Sequence, residues 1–419
     1  MKRLLGKIFW TAVRRSRWDG LSRMLGRMYL RARPYALFAG TPQDRQARTA
    51  ICTIDGWFAW ARGGERFELR LSGKPLDFLP LKRTDGARVF GERNCRGFRA
   101  YFDVSDWLPA RAGIDLEVVR GGQVVAAERL ELTQEAIRQA EASAGARARK
   151  REWLLEHVTG AAEERDGGPL NFLPEEWKQE FRIDDPAAIS AHGYDEVAMG
   201  IIEDVRRAGG KALDCGSGLR ASVDETVICV EVAALPTVDV LAVNQRLPFR
   251  DGVFDAVLSL NVLEHVTNPF QCAAELVRVL KPGGILYCCI PFLQPEHGYP
   301  HHYFNATRQG LRQLFDKRME PVKSFVPRSG EPVWTLAWFA ASYAAELPKQ
   351  ERQRFLNMRL GDFIHRPAQA LLEEKWVAGL SEAGKWELAS TTAAILRKPI
   401  ETVGPGREPS ASADSRQRE

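Results

Sequence analysis

The sequence predicts an α/β protein in which a doubly wound parallel sheet, in the second half of the chain, follows a small antiparallel β-sandwich. Three observations predict it. Apolar runs of strand length (Lys211–Leu213, Val227–Val232, Val238–Val243) follow one another closely, and the first ends in the glycine-rich turn Asp214-Cys215-Gly216-Ser217-Gly218. Ahead of them, short runs alternating apolar with polar recur between glycine-containing turns. Between the two patterns lies a charged stretch rich in Ala, Glu and Arg, residues 134–165, which reads as helix.

The chain has 419 residues, 45% hydrophobic and 27% charged, and at about 150 residues per domain this length makes two or three domains. Such a chain buries a sizeable core without staples. Its net charge of +5 is too small to imply nucleic acid as a partner, and none is expected. The charge is unevenly spread, since residues 1–33 are dense in Lys and Arg with Asp19 as their only acid. Seven cysteines, an odd number with no CxxC spacing, read as buried thiols rather than a disulfide framework or a zinc site. No run reaches the ~18 apolar residues of a spanning helix. The basic start lacks a cleavage site, and Arg14 and Arg15 interrupt its apolar stretch, so it is not read as a secretory signal. A cytoplasmic protein is the default expectation.

Residues 1–46 read as a basic amphipathic helical segment. Leu4, Leu5, Ile8, Phe9, Ala12 and Val13 recur at helical spacing beside Lys7, Arg14 and Arg15. Such a helix suits the anionic inner face of a membrane, as a peripheral contact through residues 1–33; a docked helix or a mobile tail is the competing reading. Residues 47–133 read as the sandwich, with Ile51–Ile54, Phe67–Leu71, Phe98–Phe102 and Ile114–Val118 as strands and Gly63-Gly64, Ser72-Gly73, Asp85-Gly86 and Gly121-Gly122 as turns. Nothing there looks catalytic, so it is an accessory domain. Trp57 and Trp60 are read as core, with stacking on a sugar as the alternative. Residues 134–185 form a helical connector whose stretch AGARARKREWLLEHV is read as a solvated helix. The catalytic domain occupies 186–399 with a helical insertion at 329–385, where Trp334, Trp338, Phe339 and Tyr343 fall at helical spacing before a last strand, Thr391–Arg397. Residues 400–419 read as a disordered tail.

The turn after Lys211–Leu213 lets backbone approach a ligand closely at Gly216 and Gly218. Together with Ala221 these glycines satisfy the dinucleotide pattern GxGxxA, so a nicotinamide enzyme is one reading. Further on come Glu231 in the second strand, Leu247-Pro248-Phe249, Phe254-Asp255, Leu263-Glu264-His265 and Lys281-Pro282-Gly283-Gly284. In order and spacing, over about residues 190–330, the chain resembles the class I S-adenosylmethionine-dependent methyltransferases, in particular the type 11-like branch with an LPF, FD, LEH and LKPGG signature. A nicotinamide enzyme has no reason to carry those later motifs. The resemblance implies a Rossmann-like core and S-adenosylmethionine as cofactor. It implies that Asp214, Gly216 and Gly218 lie beside the methionine part and that Glu231 holds the ribose diol. It also implies that Asn244 and Gln245 lie at the adenine and that Asn261 and Leu263 lie under the sulfonium. Each has a plainer alternative, with Asp214 and Glu264 as caps and His265 bonded only to backbone. Two departures stand out: Arg220 where the family often has a third glycine, and Val243 where it often has an acid. The spans around Glu231 are too short for full crossover helices, so one face of the sheet is expected to be thinly covered there, with the sandwich over it.

The acceptor side is read in the loop after the fifth strand, residues 292–305, because loops at the carboxyl ends of such strands face the ligand crevice. Four of the seven histidines are His265, His297, His301 and His302. An imidazole titrates near neutrality and suits a general base, which assigns His297, His301 and His302 to catalysis. His265, Glu296, Tyr299 and Tyr303 are assigned to the substrate. No metal is assigned, although histidines with Glu296 holding a divalent ion, or histidines that only rigidify the loop, are alternatives. The expected reaction is O-methylation of a sugar or surface-glycan hydroxyl. Methylation of a lipid-like or quinone acceptor at the membrane, or a non-catalytic binding module on the same fold, are the other readings.

Overall fold

The computed structural model describes residues 35–41, 45–61, 66–81, 90, 94–108, 113–163, 168–181, 190–298, 301–315, 318–366 and 368–390. The expectations for residues 1–33, Tyr299, Thr391–Arg397 and the tail fall outside them. The chain divides into two compact units, Met1–Trp338 and Phe339–Glu419.

The first unit begins with nine strands in two sheets. β1 (Tyr35–Thr41), β3 (Ile51–Trp60), β7 (Cys95–Asp103) and β6 (Phe78–Leu81) form one, in the order β1-β3-β7-β6, all antiparallel. β2 (Gln46–Ala47), β9 (Gln123–Leu132), β8 (Ile114–Arg120), β4 (Glu68–Leu71) and β5 (Lys74–Leu76) form the other, with only β2 and β9 parallel. Alternation drives the burial, as in β8, where Ile114, Leu116 and Val118 are buried and Asp115 and Glu117 point outward. These residues share a core with Ile54, Phe58 and Phe98 of the other sheet. Trp57 and Trp60 are buried, consistent with packing.

The first strand corrects the helical reading of residues 35–46. Tyr35–Thr41 pairs with β3 from Tyr35↔Trp60 onward, and Ala36 and Ala39 are buried. A run such as Tyr-Ala-Leu-Phe-Ala fits a helix or a strand, and the partner strand decides.

α1 (Gln134–His157) starts at Thr133, whose hydroxyl accepts from the Ala136 N–H at 3.2 Å. It is not the solvated helix expected over its second half. Ile137 and Ala140 enter the core of the two sheets, while Leu154 enters the core of the sheet that follows. Lys150, 1% exposed, pairs with Asp239 at 2.5 Å. The buried stripe is built largely of Ala, Ser and this Lys, so it has little hydrophobic contrast in the sequence.

The parallel sheet runs β10 (Leu170–Asn171), β13 (Val240–Leu241), β12 (Val227–Glu231), β11 (Ala212–Cys215), β14 (Phe254–Leu260), β15 (Leu280–Cys289), every pair parallel. Its order reverses beside β11, the switch point at which doubly wound sheets bind ligands. After α2 (Glu175–Glu180), α3 (Glu196–Arg207) precedes β11. α4 (Pro269–Val279) crosses from β14 to β15, burying Cys272, Ala273, Leu276 and Val279. Between β11 and β12, and between β12 and β13, there are turns and no helix, as the short spans require. Leu219, Leu235 and Val238 from those turns pack with Ile51 and Tyr101 of the first antiparallel sheet. Arg147 of α1 bonds both Asp103 and the Pro236 carbonyl there.

The Phe-Asp and Lys-Pro-Gly-Gly motifs meet at the opposite, amino-terminal edge. Both carboxylate oxygens of Asp255 accept from Lys281 Nζ at 2.9 Å, and Oδ2 also accepts the Lys211 N–H at 3.0 Å. Burial pushes this carboxyl up, and the bonds from Lys281 and Lys211 with the Lys281 charge outweigh it, holding it below its ordinary range.

The second unit is helical. α7 (Lys349–Leu356) follows α5 (Arg308–Leu314) and α6 (Pro332–Ala345) in the chain, and the unit's small core joins Tyr343, Leu347, Leu371 and Trp376, with Phe355 stacked 4.9 Å from Tyr343. No helix among the described residues is long and apolar enough to cross a membrane.

Candidate active site

The glycine-rich turn leaves β11 at the switch point. Gly216 and Gly218 have φ of +73° and +58°. A Cβ on Gly216 would stand 2.6 Å from Val262 Cγ2, and one on Gly218 would stand 2.5 Å from the Ser190 carbonyl oxygen. Conformation and space both demand glycine here. The turn is closed from the next strand, because the Glu231 carboxylate accepts the Gly218 N–H at 2.9 Å and the Val232 N–H at 2.8 Å. Burial raises the Glu231 pKa, and those two backbone bonds only partly offset it.

Asp214 is 0% exposed. Its Oδ2 accepts from Tyr194 Oη at 2.6 Å, Arg220 Nε at 2.9 Å and an Arg220 terminal nitrogen at 2.7 Å. Arg220 also donates to the His192 carbonyl at 2.7 Å and lies over the Tyr194 ring, 4.1 Å from its centroid. Burial, then the adjacent Asp214 charge, hold the Tyr194 hydroxyl protonated. Asp214 Oδ1 is buried with no hydrogen-bond partner among the described residues. Arg220, a departure from the family pattern in the sequence, is thus the counter-ion of Asp214. Nothing in the sequence ties Tyr194 to them.

Asn244 and Gln245 are buried just after β13, and the Gln245 carbonyl accepts Gln271 Nε2 at 3.0 Å. Asn261 follows β14 at φ +58°, a left-handed conformation rare outside glycine and often found at functional sites. Leu263 points into the hydrophobic core.

The loop after β15 is fastened to the turn after β14. The Glu264 carbonyl accepts the Tyr303 N–H at 2.7 Å, and His265 Nδ1 donates to the His301 carbonyl at 2.6 Å. His297 Nδ1 donates to the Pro295 carbonyl at 2.9 Å. His302 Nδ1 accepts the His297 N–H at 3.2 Å, so its Nε2–H donates to Asn305 Oδ1 at 3.0 Å. The rings of His265 and His297 lie 5.1 Å apart, and those of His297 and His302 lie 4.4 Å apart. The Trp338 ring is 5.2 Å from His297, and the His301 ring is 5.6 Å from Tyr303. Glu296 is exposed, and the Tyr303 hydroxyl is buried without a partner among the described residues.

Within this cluster sits Glu264, 0% exposed, whose two carboxylate oxygens have no well-formed hydrogen bond among the described residues. Its Oε1 is 3.8 Å from His265 Nε2. Burial pushes Glu264 up to about 8 and His265 down to about 4. Glu264 lies in the short 3-10 helix Leu263–His265, and it is also a buried acid, of which its place in an apolar run, Val262-Leu263 before it and Val266 after it, was the signal.

Residues 217–288 match the model of the family described as "Methyltransferase domain". Over these residues the chain is similar to a methyltransferase domain. Over 94 residues the chain is 37% identical to an uncharacterized methyltransferase of Mycobacterium tuberculosis, covering 21% of this chain and 36% of that one. Over 124 residues it is 40% identical to an uncharacterized methyltransferase of Mycobacterium avium, covering 28% and 48%. The chain thus spans between a third and half the length of these curated relatives. A solved structure titled a possible histamine N-methyltransferase, from Thermotoga maritima, aligns at 20% identity and a TM-score of 0.22 over 29% of this chain and 70% of that one.

The cofactor expected from the motifs of the sequence is S-adenosylmethionine. The residues present fit it: a turn that any Cβ would fill, an acid at the carboxyl end of the next strand, and an unpartnered buried Asp214 oxygen all lie at the switch point.

Proposed function

We propose that the chain transfers a methyl group from S-adenosylmethionine to a hydroxyl of a sugar or surface glycan. The observation that carries this is the polar loop 292–305, fastened onto Glu264 and His265 three residues beyond Asn261. It offers several imidazoles to an acceptor rich in hydroxyls.

The bound cofactor supplies an electrophilic methyl on a sulfonium. The chain's own residues orient it. Gly216 and Gly218 would give the methionine part room, and Asp214 Oδ1 would accept from its ammonium. Glu231 would hold the ribose diol with its carboxylate. Asn244 and Gln245 would flank the adenine, and Asn261 and Leu263 would hold the sulfonium end. Alignment of acceptor, methyl and sulfur does most of the work, and a base is needed because a hydroxyl must shed its proton. His301, whose carbonyl is anchored on His265, is assigned as that base. His302 has both ring nitrogens engaged and acts by holding His297 in place. His265, Tyr303 and Glu296 are assigned to the acceptor side, as the sequence also assigns Tyr299, which lies outside the described residues. The two antiparallel sheets form a β-sandwich that serves as an accessory domain.

A second reading, a lipid-like or quinone acceptor at the inner face of a membrane, is favoured by the basic segment 1–33. The two readings separate by whether deletion of residues 1–33 releases the protein from anionic liposomes and abolishes turnover. The core proposal is tested by calorimetric titration with S-adenosylhomocysteine, with NAD as control and acceptor screening afterwards. Micromolar binding that Glu231→Ala removes is expected. A folded protein that does not bind would overturn the enzyme reading.

A further inference from the structure

We infer that Glu264, His265 and His297 form a binding site for a divalent transition-metal cation. One ligand atom from each, a carboxylate oxygen and two imidazole nitrogens, lies within 4.8 Å of the others. The Glu264 Oε1 to His265 Nε2 distance is 3.8 Å. Carbonyl oxygens only accept, so both Nδ1 atoms must carry the proton in their bonds to the His301 and Pro295 carbonyls. That tautomer puts the lone pair of each neutral ring on Nε2. Metal-bound histidines are oriented in this same way, by donating the other ring N–H to a carbonyl.

The independent observation is Glu264. It is wholly buried, and neither carboxylate oxygen has a well-formed hydrogen bond among the described residues, with only the Asn261 side chain and its own backbone N–H close by. Buried carboxylates are ordinarily paired or coordinate a metal. A cation between the two imidazoles satisfies it. Two imidazoles and one carboxylate suit zinc and its neighbours better than magnesium or calcium, which take oxygen sets. Side-chain rotation would bring the three ligand atoms in to the ~2.0–2.2 Å bonds of such a site. Three protein ligands leave at least one position open. Because Glu264 and His265 follow β14 and His297 follows β15, that position lies at the carboxyl edge of the sheet. There the cation would take a hydroxyl of the acceptor as ligand and orient it. That last role rests on the methyl-transfer reading, whereas the site itself does not.

The test is titration of the chelator-stripped full-length protein with Co2+ followed by visible absorption, and with Zn2+ followed by calorimetry. One equivalent is expected to bind, giving the intense bands of four- or five-coordinate Co2+, and His365→Asn, at an exposed histidine outside the site, should keep it. Glu264→Gln, which preserves shape, and His297→Ala should each weaken binding at least 10-fold. Both variants are checked for folding by circular dichroism and for unchanged S-adenosylhomocysteine binding, so failure of the metal site and failure of the cofactor site are separately visible. If a variant fails to fold, His265→Asn takes its place. No saturable binding to the folded wild type, or binding unchanged in these variants, overturns the inference.

Discussion

Arg220 and Asp214 form a buried ion pair at the point where the parallel sheet reverses its order, with a guanidinium nitrogen 2.7 Å from Oδ2 and Asp214 closed off from solvent. A charge left alone in such a place is far more costly than the pair is favourable. Arg220→Met should therefore destabilise the fold by about 3–5 kcal/mol, read as a lower urea midpoint at constant slope. A loss below about 1 kcal/mol would mean that water or Tyr194 already serves Asp214.

The glycine turn makes a sharper demand. Gly216→Ala places a methyl 2.6 Å from Val262 at a φ of +73°. S-adenosylhomocysteine affinity should fall at least 10-fold. Gly216→Ala with Val262→Ala should recover part of it but not all, since the second change relieves the clash and leaves the backbone strain. Full recovery would show that crowding alone matters.

With Glu231 holding the ribose diol as proposed, cofactor binding should depend on pH. The Glu231 pKa is raised by burial, so the folded chain holds this proton more tightly than the unfolded chain does. Through this group, stability declines as pH rises past the ordinary glutamate range toward the raised value. Cofactor affinity runs the other way, because only the ionised carboxylate accepts two ribose hydroxyls. Affinity should fall on acidification, beginning above pH 4.5. In Glu231→Gln this pH dependence should vanish and affinity should drop roughly 10–100-fold, the loss of a charged hydrogen bond worth ~1.5–3 kcal/mol. An unchanged pH profile in the variant would assign the titration to another group.

Lys150 and Asp239 pair at 2.5 Å where α1 meets the parallel sheet. Lys150→Met should cost about 3–5 kcal/mol. The double variant with Asp239→Leu should recover much of this. Recovery should stay incomplete, because Asp239 Oδ2 also accepts the Cys229 N–H at 2.7 Å. Thermal melts of Lys150→Met, Asp239→Leu and the double variant check this, and strict additivity would show that the two side chains act independently.

The parallel strands from Ala212 to Cys289 were legible in the sequence because each carries an apolar run closed by a turn, and the glycines at 216 and 218 mark where backbone must pass tightly, whereas Leu170–Asn171 fell in the stretch read as a helical connector and joins the sheet only through Val240–Leu241. The missing crossover helices were legible from span length alone. What the sequence could not disclose depends on distant partners. Tyr35–Thr41 becomes a strand only because β3 lies beside it. Glu264 looks like any helix-opening acid until the loop from 301 to 304 closes over it. Arg220 reads as a lost glycine until Asp214 and Tyr194 are seen around it. The histidines were found by their density, whereas the division of labour among them follows from which ring nitrogen meets which carbonyl.

α1 lends Ile137 and Ala140 to one core and Leu154 to the other, and the turns that replace two crossover helices rest on Ile51 and Tyr101. Excision of residues 35–133 would thus strip an apolar floor from beneath the cofactor turn as well as remove a neighbour. Cut away from residues 35–133, the parallel sheet should therefore be less stable than it is in the whole chain, because part of its apolar packing comes from outside it.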